Sequence, residues 1–302
     1  MNSVNSLQEI DITGFTEKDI TEIIQENTNS SVCRAIKKLK DRTDQSQSMI
    51  VKILVKDYPT PSELTKYKQE YEILRSLNLL KAEGVIQTYG LRQYQNSLAM
   101  FLEDIGGKSL KVLLSEQQFT LEEFLTIAIE IAKSLGEIHN ANVIHKDINP
   151  SNIIYNSETK QLKFIDFGIA TNLSEENQEV CNPNQLEGTL AYIAPEQTGR
   201  MNRRIDYRSD FYSLGATFYE LLTHQLPFKN TDPMELVHCH IAQQPKTPQE
   251  LLPSIPLTLS KIILKLLAKT PEERYQTAGG LKADLETCLE QLQTLGKISD
   301  FS

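Results

Sequence analysis

Two short segments hold residue types that could do chemistry. His145-Lys-Asp-Ile-Asn-Pro-Ser-Asn152 offers a carboxylate, Asp147, and an amide, Asn152, on a loop stiffened by Pro150. Phe164-Ile-Asp-Phe-Gly168 offers a second carboxylate, Asp166, at the end of an apolar run and before a turn glycine. One carboxylate can orient a hydroxyl nucleophile. The other, with an amide oxygen, suits Mg2+, which prefers hard oxygen ligands. Phosphoryl transfer from ATP asks for this set, because positioning and charge neutralisation supply most of its catalysis. An isolated Asp is as readily a turn or helix cap. Two such segments a hairpin apart favour the chemical reading.

Lys52 belongs with them. It lies in the apolar run Met49-Ile-Val-Lys52-Ile-Leu54. A lone strand lysine is ordinarily solvated; one placed before an amphipathic helix that carries carboxylates can be paired. Glu70 and Glu72 compete for it. They stand about 200° apart around a helix, so only one can face the lysine. Register with Leu74 and Leu77 favours Glu70.

The elements that must position these groups follow from periodicity. Ile20 to Gln25, Val32 to Lys38 and Met49 to Val55 read as strands, with a polar hairpin tip over Asp41 to Ser48. Ser62 to Leu77 has helical spacing, with Leu64, Tyr67, Tyr71 and Leu74 on one side. Strands follow near Gln87 to Tyr94 and Ser97 to Glu103. After Gly106-Gly107 the chain turns helical: Leu121 to His139, Asp210 to Thr223, Pro233 to Gln243, Pro256 to Ala268 and Thr277 to Leu292. A hairpin of Ile153 to Tyr155 with Leu162 to Ile165 separates the two chemical segments.

Downstream stand Gly188-Thr-Leu-Ala-Tyr-Ile-Ala-Pro-Glu196, Arg208-Ser-Asp210 and Pro271-Glu-Glu-Arg274. With the segments above, these resemble the eukaryotic-type Ser/Thr protein kinase family over roughly residues 18 to 292. Ile148-Asn-Pro-Ser-Asn152 and Glu196-Gln-Thr-Gly-Arg-Met-Asn-Arg203 are similar, more narrowly, to the N-terminal kinase domain of large bacterial, cyanobacterial-like multidomain sensors. In those proteins an ATPase-like, a GAF and a histidine kinase domain follow.

The resemblance implies an α+β, bilobal fold. A polar lead-in would cover 1–17, a small β-rich lobe with one main helix 18–103, a larger helical lobe 104–292, and a tail or linker 293–302. It implies ATP with Mg2+, or Mn2+, as cofactors. The acceptor would be a protein hydroxyl, or one on the chain itself, in cytoplasmic bacterial signalling. Lys52, held by Glu70, would meet the α- and β-phosphates. Asp147 would orient the acceptor, and Asn152 and Asp166 would hold the metal. Gln25, Asn27, Ser30, Val32, Ile50, Glu103, Ile105 and Ile154 would surround the nucleotide. Glu196 would form a buried pair with Arg274, and Asp210 would accept catalytic-loop N–H groups. His145 would bond backbone near Asp166. Gly168 would permit the twist of the metal loop. Thr171, Ser174 and Thr189 are the Ser/Thr hydroxyls of the activation segment, and Thr189 is expected at the substrate and Asp147.

Several residues depart from the family pattern. The phosphate-covering loop, anchored on Val32, has Gln25, Asn27 and Ser30 where glycines are expected. Ile50 replaces a small residue above the adenine, and Lys146 an arginine. Asn149 replaces the lysine that meets the γ-phosphate; counted with the catalytic residues, it is expected to be a deficit that Asn149→Lys would repair. These departures motivate an alternative: a pseudokinase or nucleotide-binding module regulating an attached signalling domain.

Bulk properties bound the rest. The 302 residues carry a formal net charge of -9, which disfavours nucleic acid and anionic membranes as partners. No apolar run has the length of a membrane span, and no signal peptide is visible. The cysteines Cys33, Cys181, Cys239 and Cys288 form no metal-type pair and read as reduced thiols. His238-Cys239-His240 is metal-like in type only, since i and i+2 on a helix diverge. The basic run Arg34 to Arg42, and Arg200, Arg203, Arg204 and Arg208, read as solvated.

Overall fold

Alternation builds the first sheet. Cys33, Ala35, Met49 and Val51 are buried, while Val32, Arg34, Ile50 and Lys52 between them are partly exposed. Antiparallel register pairs Val32 with Lys52 and Arg34 with Ile50, so these four share one face. The computed structural model describes residues 12, 15–26, 30–38, 46–54, 58–173, 187–201 and 203–301. Asn27, Ser174, Cys181 and most of the hairpin tip after Lys38 lie outside them.

The strands are β1 (Ile20–Glu26), β2 (Ser30–Lys38), β3 (Ser46–Leu54), β4 (Thr88–Tyr94) and β5 (Ser97–Glu103), in the order β1-β2-β3-β5-β4. The helix α1 (Pro61–Leu79) interrupts them. The buried face of the sheet gathers Ile12, Ala35, Met49, Val51, Ala99 and Phe101. Phe15 joins this cluster edge-on to Phe101, ring centroids 5.1 Å apart. Ile12 and Phe15 lie in the stretch expected to be a polar lead-in. Isolated apolar residues among polar ones show no periodicity, yet two suffice to cap the sheet.

The remainder is mostly helical. Its helices are α2 (Leu110–Glu116), α3 (Leu121–Asn140), α4 (Arg208–Thr223), α5 (Pro233–Ala242), α6 (Pro248–Leu251), α7 (Leu257–Leu266) and α8 (Ala278–Leu295). Short strands β6 (Lys108–Ser109), β8 (Ile153–Tyr155) and β9 (Leu162–Phe164) form one sheet. Strands β7 (Val143–Ile144) and β10 (Thr171–Asn172) form another. The helices α2 and α6 are too short to show a period in the sequence.

Helix α3 begins at a Thr120 cap whose hydroxyl accepts from the Glu123 N–H, with Glu123 returning to Thr120. Phe124, Leu125, Ala128, Ile131, Leu135 and Ile138 form its buried stripe. Helix α4 is buried on all sides, as expected for a helix without a polar face. Its Ser213, Thr217 and Thr223 hydroxyls satisfy themselves on carbonyls four residues back, at 3.4, 2.9 and 2.7 Å.

Two units divide the chain: Met1–Leu79 with Ile86–Gly106, and Leu80–Val85 with Gly107–Ser302. The first is β-rich with one long helix and the second largely helical, an α+β organisation. The second unit takes in Leu80–Val85 because that stretch is bonded there. Phe164 N–H donates to Gly84 O at 2.8 Å, and Gly84 N–H to Glu137 Oε2 at 2.9 Å. A Cβ on Gly84 would sit 2.0 Å from Ser134 Oγ, so only glycine fits.

Candidate active site

In the first unit the site starts at α1. Its buried stripe is Tyr67, Glu70, Ile73, Leu74 and Leu77, and Glu70 is the only carboxylate on it. Lys52 Nζ donates to Glu70 Oε1 at 2.7 Å and Oε2 at 3.0 Å. Tyr67 OH donates to Lys52 O at 2.5 Å, fixing the strand against the helix. Glu72 is exposed and meets Arg75 instead. Helical register therefore selects between the two carboxylates as expected.

Val32 and Ile50 flank Lys52 on the same partly exposed face. Gln25 pairs with Val32 across β1 and β2, and Ser30 opens β2 opposite Leu54. At the end of β5, Glu103 N–H donates to Gln87 O at 3.0 Å, and Glu103 Oε1 accepts from Gln87 N–H at 2.8 Å. Ile105 follows, half-buried.

Between Glu103 and Ile105 lies a group that sequence spacing does not reveal. Asp104 accepts from Ser48 Oγ at 2.5 Å, Arg34 Nε at 2.8 Å and Gly106 N–H at 2.9 Å. Burial pushes its pKa up, but these three donors and the Arg34 charge hold it below the usual carboxylate value. Arg34 also pairs with Glu22, so β1, β2 and the segment after β5 are tied together. Arg34 is thus not a member of a solvated basic run. Its partner lies 70 positions away, beyond any local pattern.

In the second unit, Asp210 anchors the loop that carries Asp147. Fully buried at the start of α4, it accepts from His145 N–H at 3.0 Å and Lys146 N–H at 2.8 Å. His139 Nε2 lies 2.9 Å from it. These bonds hold Lys146 at φ 66°, a turn that aims Asp147 out of the buried segment. His145 Nδ1 accepts from Asp147 N–H at 3.3 Å, so its proton is on Nε2, which donates to Ile165 O at 3.2 Å. His145 therefore bridges Asp147 to the residue before Asp166.

Asn149 caps a single 3-10 turn, Pro150–Asn152, its Oδ1 accepting from Ser151 N–H at 2.9 Å. That turn brings Asn152 Nδ2 to Asp147 O at 2.9 Å and Asp147 Oδ2 at 3.0 Å. With its amide nitrogen so engaged, Asn152 has its oxygen left to meet a cation. Ile165 N–H donates to Asn152 O at 3.0 Å, fixing Asp166 beside this loop. Asp166 is exposed and adopts φ 61°. The left-handed residue of this loop is Asp166, not Gly168, because aspartate tolerates that region. Ile154 is half-buried in β8.

An amide oxygen and a carboxylate are the donor types Mg2+ takes, with water and phosphate completing its shell. Among the described residues no cluster of three or more His, Cys, Asp or Glu could hold a metal without such help.

A third strand of chain closes on Asp147. Gly188 adopts φ 93°, where a Cβ would press on Lys146 O at 3.3 Å and Asp147 Oδ1 at 3.5 Å. Thr189 N–H then donates to Asp147 Oδ1 at 2.8 Å. Gln197 Nε2 holds Lys146 O at 2.8 Å. Glu196 and Arg274 form the expected buried pair, at 2.6 and 2.9 Å. Tyr192 OH bonds Glu220, whose other oxygen takes Lys111 Nζ at 2.7 Å. Arg203 and Arg208 are not merely solvated: Arg203 pairs with Glu272 and Arg208 with Asp206.

A protein kinase domain model matches residues 22–285. A probable serine/threonine-protein kinase of Streptomyces coelicolor is 32% identical over 234 residues, covering 76% of this chain and 34% of that protein. The serine/threonine-protein kinase PknB of Mycobacterium tuberculosis is 31% identical over 242 residues, covering 79% of this chain and 38% of its own length. A hybrid signal transduction histidine kinase of Dictyostelium discoideum is 34% identical over 241 residues, covering 58% of this chain and 7% of its own length. The chain spans little more than a third of the two bacterial relatives.

Proposed function

This chain belongs to the protein kinase domain family, and we propose that it transfers the ATP γ-phosphoryl group to serine or threonine hydroxyls of proteins in bacterial signalling. The observation that carries the reading is Asp147. Its Oδ1 accepts from Thr189 N–H and its Oδ2 from Asn152 Nδ2, which orients the carboxylate while leaving lone pairs for an incoming hydroxyl. Lys52, held by Glu70, is the cation for the nucleotide phosphates. Asn152 and Asp166 are the oxygen ligands for Mg2+ or Mn2+, which would neutralise charge on the phosphates. Asp147 would take the hydroxyl proton as the oxygen attacks.

A scaffold without activity is the competing reading, favoured by the side chains at Gln25 and Ser30. It gives no reason for Lys52 to be paired with Glu70 in the first unit, nor for Asp147, Asn152 and Asp166 to be grouped in the second. The longer relatives, one of them a hybrid histidine kinase, support a place for this domain beside others; attached ATPase, GAF or histidine kinase domains and a cytoplasmic setting are part of the proposal. No helix of the described residues is long and apolar enough to cross a membrane.

Radiolabelled ATP with a generic protein acceptor tests the reading. The native chain should label the acceptor with Mg2+ or Mn2+ and not with a chelator present. Asp147→Asn should lower the rate by ~10²-fold or more, the scale of a lost general base. A native chain that labels neither acceptor nor itself sinks the proposal.

A further inference from the structure

The sequence alone makes Asn149 a poor substitute for a cation at the γ-phosphate. Its surroundings indicate a different task. The side chain is buried, 3% exposed. Its Oδ1 accepts from Ser151 N–H, and its Nδ2 donates to Asp147 O at 3.1 Å and Thr189 Oγ1 at 3.3 Å. A primary amide has two N–H donors. Both are used inward, so none is left to reach a phosphate.

Thr189 is exposed, and it lies on the segment that closes over Asp147. Two bonds join it to the catalytic loop. Its N–H meets the reactive carboxylate, and its hydroxyl meets the amide of Asn149. Removing the second leaves the Thr189 side chain free to rotate, and the backbone bond to Asp147 less restrained.

Resting on the kinase reading above, we propose that Asn149 is a positioning residue for the protein acceptor. Its buried amide fastens Thr189, and the segment around it, to the loop that carries Asp147. The charge lost with the usual lysine is then not replaced at this position. What the amide supplies is registry between the acceptor-facing segment and the catalytic carboxylate. It acts through Thr189 and Asp147, and itself touches neither substrate.

This separates two kinds of acceptor. A protein hydroxyl needs the Thr189 segment in place, whereas water attacking ATP does not. Asn149→Ala should therefore lower kcat/KM for a protein acceptor by about tenfold, the factor that one ordinary neutral hydrogen bond represents. Transfer to protein should fall several-fold more than the slow hydrolysis of ATP does, since water needs no contact with the Thr189 segment. Thr189→Val, at an exposed position, should reproduce the loss. Thr189→Ser should not.

Asn149→Ala combined with Thr189→Val should be no worse than Asn149→Ala alone, because the bond that Thr189→Val removes is already lost in that variant. Asn149→Lys should lower transfer, since it puts a cation where 3% exposure leaves little water. Melting temperatures of all variants identify any that misfold. A misfolded variant loses hydrolysis and transfer together, and the Thr189 variants then decide the question.

Hydrolysis falling in step with transfer in the folded variants would overturn the proposal, as would additive losses in the double variant or faster turnover in Asn149→Lys. A native chain with no transfer at all sinks the kinase reading, and this inference with it. An active native chain with the wrong pattern sinks the inference alone.

Discussion

Replacing Arg274 by alanine should remove a large part of the stability of the second unit. Both side chains of the Arg274–Glu196 pair are nearly inaccessible, 0% and 1% exposed. Arg274 uses all five of its donors. Nη1 meets Glu196 Oε1 and Arg208 O, at 2.6 and 2.9 Å. Nη2 meets Glu196 Oε2 and Lys269 O, at 2.9 and 3.1 Å. Nε meets Ala268 O at 2.8 Å.

Truncation strands the Glu196 carboxylate, which costs ~3–5 kcal/mol for a buried pair. Three carbonyls lose their donors as well, at about 1 kcal/mol each if water enters the space the guanidinium leaves. A total of ~6–8 kcal/mol is two fifths or more of the ~5–15 kcal/mol that holds a typical protein folded. At ~2–4 °C per kcal/mol, melting should fall by ~12–32 °C.

Urea denaturation followed by circular dichroism measures this directly. Glu196→Gln, which keeps shape but leaves the arginine charge uncompensated, should cost about 3 kcal/mol. The double variant Glu196→Leu, Arg274→Met buries no charge, and should be at least ~1 kcal/mol more stable than Arg274→Ala. Single variants within ~1 kcal/mol of the native protein, or a double variant as costly as the sum of the singles, would refute the view that a stranded charge is the penalty.

Lys269 gives a pH signature. Burial, and then the Arg274 charge, lower its pKa to about 8. Below that pH both folded and unfolded states are protonated, and the penalty for burying the cation is fully present. As pH rises from about 8 toward 10 the unfolded state binds more protons, so stability should rise, and Lys269→Met should flatten that rise. Of the groups around Lys269, Arg274 stays charged, and His240, at about 3, is neutral throughout the window. Tyr212, whose pKa burial raises, makes stability fall rather than rise at high pH, so a rise that survives Lys269→Met would refute the assignment to Lys269. Gly84→Ala should destabilise by ~1–3 kcal/mol through overpacking. Ser134→Ala should not rescue it, because Ser134 Cβ and Cα stand 2.1 and 2.8 Å from the new methyl; full recovery of the melting temperature would contradict this.

How far these features can be read in the sequence depends on where their causes lie. Glu70 is separated from Glu72 by helical period alone, and Tyr67, Leu74 and Leu77 supply that period from the same helix. The strands β2 and β3 likewise announce their faces by alternation. Arg34 and Asp104 carry no such mark. Each is polar and locally unremarked, and only the pairing of β3 with β5 brings them together. The left-handed turn at Asp166 is local, but glycine two positions on is the commoner signal, and it points to the wrong residue. On the proposal made above, Asn149 shows the limit most clearly. Chain position identifies it with a phosphate-binding lysine, and chemistry type then makes it deficient. Its actual partners are Ser151 and Asp147 nearby and Thr189 forty positions later. A donor's use is settled by which acceptors surround it after burial. A residue-type comparison along the chain finds the place where a substitution matters and leaves its sign to the packing.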